Sequence, residues 1–171
     1  PYNSIYLKRN GAKKGDIICI TKPVGRAIKG LEDFKENNLQ SSFLNDYLRP
    51  KPQIELGKKI SNYATSCIDI SDGLLADLNH ILMSSQVGAN IFLDDIPITS
   101  SINDVNAGDD YDLCFTIPAV ISARAIPQVA TLVTDVLAQI HHNSLSGSPR
   151  HSSDRKAEHS ERAVALLKRA E

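Results

Sequence analysis

The sequence predicts an α+β domain in which a mixed β-sheet is covered by helices. Apolar runs of strand length alternate with apolar stripes of helical period, Gly and Pro separate them, and 42% hydrophobic residues in a chain of 171 suffice for a core. The elements follow in order. After a polar, half-extended start (Tyr2 to Asn10), Gly-Ala-Lys-Lys-Gly-Asp at 11–16 is a turn, and Ile17-Ile18-Cys19-Ile20-Thr21 is a buried strand ended by Pro23 and Gly25. Ile28, Leu31 and Phe34 recur at helical spacing until Asn37-Asn38, and Phe43–Leu48 adds a further helical turn. Arg49-Pro50-Lys51-Pro52 is extended, because a residue before proline is pushed out of the helical region. Ile54, Leu56, Ile60, Tyr63 and Ala64 then mark a second helix over Gln53–Ala64.

Ser66–Ile70 reads as a short buried strand that Ser71-Asp72-Gly73 turns into a helix from Leu74 to about Ser84. Its apolar face is Leu74, Leu75, Leu78, Ile81 and Leu82, with Asp77, Asn79 and His80 on flanking or opposite faces and Gly88 as its stop. Ala89–Leu93 is a strand candidate. Tyr111–Ile117 alternates with period 2, the signature of a strand with one buried face, and Pro118 closes it. Beyond it, Ile126, Val129, Leu132, Val133, Val136, Leu137 and Ile140 trace a helical stripe. Residues 141–160 form a polar run expected to be mobile, and Glu161–Ala170 a last short helix.

Composition narrows the function. A formal net charge of -1 lacks the basic footprint of a protein that neutralises nucleic-acid phosphates, so no nucleic-acid partner is expected. Three widely spaced cysteines, Cys19, Cys67 and Cys114, argue against a disulfide framework and for reduced thiols in a cytoplasmic protein. No apolar stretch approaches the roughly 18 residues that span a bilayer, so no membrane role is expected. The start at Pro1 reads as a fragment or a processed product. All nine aromatics and all three cysteines precede residue 116; up to Pro118 there are 12 basic and 15 acidic residues, against 7 and 5 after it. The chain is therefore read as two parts, 1–118 and a compositionally foreign 119–171.

Two motifs carry chemistry. Cys67-Ile68-Asp69-Ile70-Ser71-Asp72-Gly73 delivers two carboxylates to a turn at a helix start, where amides attract phosphate oxygens and carboxylates hold Mg²⁺. The alternative is that Ser71 or Asp72 is a helix cap and Asp69 a surface residue. Gly108-Asp109-Asp110-Tyr111-Asp112 sets three carboxylates within four positions, either a second metal-and-phosphate locus or a solvated acidic turn. His80 reads as a surface or locally bonded side chain, and His141-His142 lies in sequence expected to be flexible. No Walker loop, HExxH or GxSxG is present.

With their surroundings these motifs resemble the C-terminal half of the thiamine-monophosphate kinase family, which shares its fold with aminoimidazole ribonucleotide synthetase. The resemblance runs from Gly-Ala-Lys-Lys-Gly-Asp through Leu48-Arg49-Pro50-Lys51-Pro52, Ile68-Asp69-Ile70-Ser71-Asp72-Gly73-Leu74 with Asp77-Leu78 and His80-Ile81, then Gly88-Ala89 and Ile96-Pro97, to Gly108-Asp109-Asp110-Tyr111-Asp112-Leu113 with Phe115-Thr116. It implies ATP-dependent phosphorylation of thiamine monophosphate to thiamine diphosphate, with Asp69 and Asp72 as Mg²⁺ ligands, Ser71 as an ATP contact and Asp109 as a substrate contact. It implies no separate catalytic acid, base or nucleophile in this chain, since a phosphate acceptor is already anionic. The complete enzyme is expected to be a homodimer.

The sequence departs from the family pattern in three ways. The family's N-terminal half has no counterpart in this sequence, so this chain alone is expected to be incomplete and inactive. Ala107 and Asp109 replace a glycine and a glutamate, and the loop from Pro97 to Gly108 is shorter than the family's. The resemblance ends at Pro118, so 119–171 is expected to be a divergent helical and flexible tail. Two alternatives stand beside this reading: another ATP-using enzyme of the same fold, and a non-catalytic relic or interaction module.

Overall fold

In the computed structural model, residues 6–121 and the backbone of 134–142 are described. The elements are β1 (Asp16–Ile20), α1 (Arg26–Lys35), α2 (Leu44–Leu48), α3 (Ile54–Ile60), β2 (Ser66–Asp69), α4 (Leu74–Ser85), β3 (Val87–Asn90), β4 (Leu113–Pro118) and β5 (Thr134–His142), with 3-10 turns at Leu93–Asp95 and Ile102–Asn106. They match the α+β expectation. The five strands form one sheet in the order β2-β4-β1-β5-β3.

Every pairing in that sheet is antiparallel, which corrects the mixed sheet expected from the sequence. The reason lies in strand order. β1, β2 and β3 run the same way, but β4 separates β1 from β2 and β5 separates β1 from β3, each running oppositely. A single parallel bridge, Val24 to Ile98, stands outside the named strands.

Period-2 alternation buries β1, β2 and β4 on both faces. On one face Ile18, Ile20, Ile68, Ile70 and Cys114 pack against Leu74, Leu75, Leu78, Ile81 and Leu82 of α4. On the other, Cys19, Cys67, Phe115 and Ile117 pack against Leu56 and Ile60 of α3. The expectation that β4 has one buried face is thus corrected: Cys114, Phe115, Thr116 and Ile117 are all fully buried. Each buried Leu or Ile contributes about 1.5–3 kcal/mol, so the five apolar side chains of α4 fix that helix firmly behind β2.

The stop of α4 also differs from the expectation. Gln86, not Gly88, takes the left-handed C-terminal conformation (φ 56°), and its N–H donates to the carbonyls of Leu82 and Met83. Gly88 lies within β3. The strand expected at Ala89–Leu93 begins earlier, at Val87, and stops at Asn90.

The clearest correction falls after Pro118. The stripe from Ile126 to Ile140 reads as helix, yet Thr134–His142 is the strand β5, paired with β1 and β3. Without it, the edge of β1 opposite β4 would carry unpaired backbone groups in the middle of the sheet. The sheet therefore continues beyond the compositional boundary, and His141-His142 sits in a strand opposite Gly88 and Val87. The remaining expectations for 122–133 and 143–171 lie outside the described residues.

Arg26 of α1 pairs with Asp46 of α2 (2.7 Å), and Asp33 ties α1 to the loop between them. Its carboxylate accepts from Ser41 Oγ (2.5 Å) and Lys29 Nζ (2.9 Å), and these two donors hold its carboxyl below the usual range. The Phe34 and Tyr47 rings meet beside it, 6.5 Å between centroids.

Candidate active site

The two acidic motifs lie side by side because the β2–β4 ladder continues past the strand ends. Ile70 N donates to Asp112 O (2.8 Å), Tyr111 N to Ile70 O (2.8 Å) and Asp109 N to Ser71 O (3.0 Å). Two glycines permit this approach. A Cβ on Gly108 would lie 2.4 Å from Ser71 O. Gly73, at φ 114° and ψ 151°, occupies backbone space that is essentially glycine's alone, and a Cβ there would lie 2.8 Å from the Asn106 carbonyl carbon. Residues some forty positions apart are thereby locked backbone to backbone.

Neither Ser71 nor Asp72 caps α4. Its N-cap is Gly73, with no side-chain cap bond, which removes the capping alternative. The turn is instead held from below by Asp77, buried at 1% exposure, whose Oδ2 accepts from the amides of Ser71 (2.8 Å) and Asp72 (2.9 Å). Asp77 is therefore a buried residue of α4 and not one of its solvent-exposed polar positions. Those two amides are already engaged, so the turn offers its side chains, rather than these N–H groups, to a ligand.

The site residues expected from sequence converge. Asp69, Asp72 and Asp109 are exposed and Ser71 is half-buried. Tyr111 Oη donates to Asp109 Oδ1 (3.2 Å); that bond, the Asp109 charge, desolvation and then the charges of Asp69 and Asp72 raise the Tyr111 phenol above its ordinary value. Among the described residues no ion pair involves Asp69, Asp72 or Asp109. This is a concentration of negative charge that no ion pair among the described residues neutralises. Asp72, Asp77 and His80 also bring one ligand atom each within 4.8 Å of one another, so exposed His80 faces this turn.

Asp110 and Asp112 behave differently. Asp110 is buried; its Oδ2 accepts from Gly25 N (2.7 Å) and its Oδ1 from Ala27 N (2.9 Å), which ties the start of α1 to the acidic loop. Burial raises its carboxyl above the usual range, against the pull of those amides. Asp112, also buried, accepts from Lys22 Nζ (3.0 Å) and Gln53 Nε2 (2.9 Å). The motif is thus neither a solvated acidic turn nor three equivalent ligands, because only Asp109 faces outward.

Beside Asp69 and Tyr111 opens a cleft of about 660 Å³. Leu7, Pro50, Pro52, Ile54 and Leu113 form apolar walls, with Arg9 and Gln53 as polar groups. Cys67 lines it too, but burial, reinforced by the Asp69 charge, pushes its thiol up to about 12, so it is no thiolate nucleophile. The sequence motifs give Arg9, Asp77 and Tyr111 no role of their own. Arg9 reaches the cleft only because the N-terminal segment runs along β2, where Cys67 N donates to Lys8 O (2.7 Å).

Fold and site together define an α+β sheet protein that presents an acidic strand-turn-helix beside an apolar cleft. No protein-family model matches the chain. The particular similarity is to thiamine-monophosphate kinases. That of Buchnera aphidicola subsp. Acyrthosiphon pisum is 39% identical over 130 residues, covering 66% of this chain and 40% of that protein. Among solved structures, the thiamine-monophosphate kinase of Stenotrophomonas maltophilia superposes with a TM-score of 0.72 at 28% identity, over 80% of this chain and 51% of that one. A structure of AaThiL complexed with AMPPCP and TMP superposes at 0.69, with 27% identity, over 80% of this chain and 48% of that one. These findings bear out the resemblance read from the motifs. The chain spans about 40% of the length of the Buchnera relative.

Proposed function

We propose that this chain is the nucleotide-binding, C-terminal-type portion of a thiamine-monophosphate kinase, which transfers the γ-phosphate of ATP to thiamine monophosphate. The observation that carries the reading is the outward-facing set Asp69, Asp72 and Asp109, whose charges all bear on Tyr111 and which form no ion pair among the described residues, with Asp69 and Tyr111 lining the cleft. The relative whose structure holds AMPPCP and TMP supports the same pair of ligands here.

The donor set fits Mg²⁺: carboxylate oxygens suit a hard cation that shares its coordination with phosphates. Asp69 and Asp72 would hold it, and the ion would supply charge neutralisation for the transferring phosphoryl group. The chain's own residues do the rest. The apolar walls of the cleft take the flat base, Arg9 draws the polyphosphate toward its rim, and the Ser71 hydroxyl contacts ATP. Asp109, locked against Ser71 through its amide, contacts the acceptor. No general base is required of the chain, since the attacking phosphate is already anionic. The complete enzyme is read as a cytoplasmic homodimer, a compartment supported by three buried cysteine thiols.

The test is a thiamine diphosphate assay with Mg·ATP. It compares this chain alone, this chain supplemented with an N-terminal half from a relative, and the supplemented Asp72→Asn variant. Product is expected only with the supplement, with a loss of at least about a hundredfold in Asp72→Asn, a direct metal ligand. Full activity in Asp72→Asn would remove the site assignment.

A further inference from the structure

We propose that Asp77 is the positioning residue of this site, acting through the backbone amides of Ser71 and Asp72 rather than through contact with a ligand. The inference rests on reading the turn as the element that faces Mg·ATP, and it adds a residue that the motif itself does not contain. Three facts point to it. Asp77 lies in the first turn of α4, where its own N–H donates to Gly73 O (3.0 Å), so its side chain is aimed back along the entering chain. One carboxylate oxygen then accepts from both turn amides, at 2.8 and 2.9 Å, and the residue is 1% exposed. Finally, the carboxylates of Asp77 and Asp72 approach within 4.8 Å, a like-charge contact that disfavours the free protein.

A carboxylate placed against that repulsion has a geometric role. Ser71 lies just beyond β2 and Gly73 is the N-cap of α4, and among the described residues it is Asp77 that fixes the two amides. The neighbouring loop grips Ser71 by its carbonyl, through Asp109 N. Donor and acceptor sides of the same residue are thus both pinned, which fixes the directions of the Ser71 hydroxyl and the Asp72 carboxylate. Without Asp77 the amides would turn to solvent and the side chains would lose a common orientation, which matters because phosphoryl transfer depends on positioning.

Asparagine separates geometry from charge, since its carbonyl oxygen can accept both bonds while the negative charge is gone. The experiment compares wild type, Asp77→Ala and Asp77→Asn by amide hydrogen exchange at Ser71 and Asp72, with Phe115 in β4 as the control, and by calorimetry with Mg·ATP. In Asp77→Ala the two turn amides are expected to exchange at least about tenfold faster with Phe115 unchanged, and affinity to fall about tenfold, the equivalent of one lost charged hydrogen bond. Asp77→Asn is expected to restore both to within about threefold. Unchanged exchange in Asp77→Ala overturns the proposal, as does an Asp77→Asn variant as impaired as the alanine in both readouts. If Asp77→Ala does not fold, Asp77→Asn decides alone: retained protection supports the role and lost protection overturns it. A wild type that binds no Mg·ATP would refute the nucleotide reading, while exchange at Ser71 and Asp72 would still decide the role of Asp77 in the turn.

Discussion

The two acidic segments have similar compositions and opposite designs. In Gly108–Asp112, two of the three carboxylates point inward: Asp110 takes the amides at the start of α1, and Asp112 takes Lys22 and Gln53. In Asp69–Gly73 both carboxylates point outward, and the holding is done by Asp77, a residue outside the segment. A buried carboxylate supplied with several protein donors builds the frame; an exposed one offers its charge to a ligand. Burial and partners, not local acidity, sort the six aspartates.

The largest expected effect falls on the frame. Asp110→Ala removes the acceptor for two buried amides, those of Gly25 and Ala27. Each abandoned buried donor costs about 1–3 kcal/mol, so the variant is expected to lose about 3 kcal/mol by urea denaturation. Asp72→Asn, by contrast, is expected to change stability by less than about 0.5 kcal/mol, because the side chain is exposed and near another carboxylate. Equal losses in the two variants would erase the distinction between frame and offered charge.

A smaller effect tests the seam between the segments. Gly108→Ala would drive a Cβ to 2.4 Å from the Ser71 carbonyl oxygen, forcing the backbones apart. Overpacking of this kind costs about 1–3 kcal/mol, and about 2 kcal/mol is expected by the same denaturation measurement. Because the Asp109 amide is bonded to that carbonyl, Mg·ATP affinity should fall as well. A variant with wild-type stability and affinity would show that the close approach is not needed.

The parts legible in sequence were those that local chemistry decides. The strand, the turn and α4 follow from Ile68, Ile70, Gly73 and the leucine stripe, and Asp69, Ser71, Asp72 and Asp109 do converge. Tertiary pairing decided the rest. Val136, Leu137 and Ile140 fit a helical period as well as a strand, and only the open edge of β1 settles them as β5. Asp77 reads as one more polar helix residue until the turn it holds is folded over it. The double-sided burial of β4 is likewise invisible to an alternation that sees only polar and apolar positions, since Thr116 is buried by its hydroxyl partners Thr65 and Ser66.

The smallest expected effect is a local titration, and it reads the offered charge directly. The Tyr111 phenol lies above its ordinary value because Asp109 accepts its proton in a hydrogen bond and because Asp109, Asp69 and Asp72 oppose a nearby phenolate. The sign follows from those causes: ionisation adds a negative charge beside three others, so the neutral phenol persists to higher pH. Asp109→Asn is expected to lower the Tyr111 pKa, by removing the largest cause, and Asp110→Asn to leave it nearly unchanged, since Asp110 faces α1. Saturating Mg²⁺ should lower it in wild type, because a cation on Asp69 and Asp72 cancels the charges that held it up. Selectively labelled tyrosine followed by NMR against pH separates Tyr111 from the other four tyrosines. A phenol indifferent both to Asp109→Asn and to Mg²⁺ would mean that the outward carboxylates do not share one site.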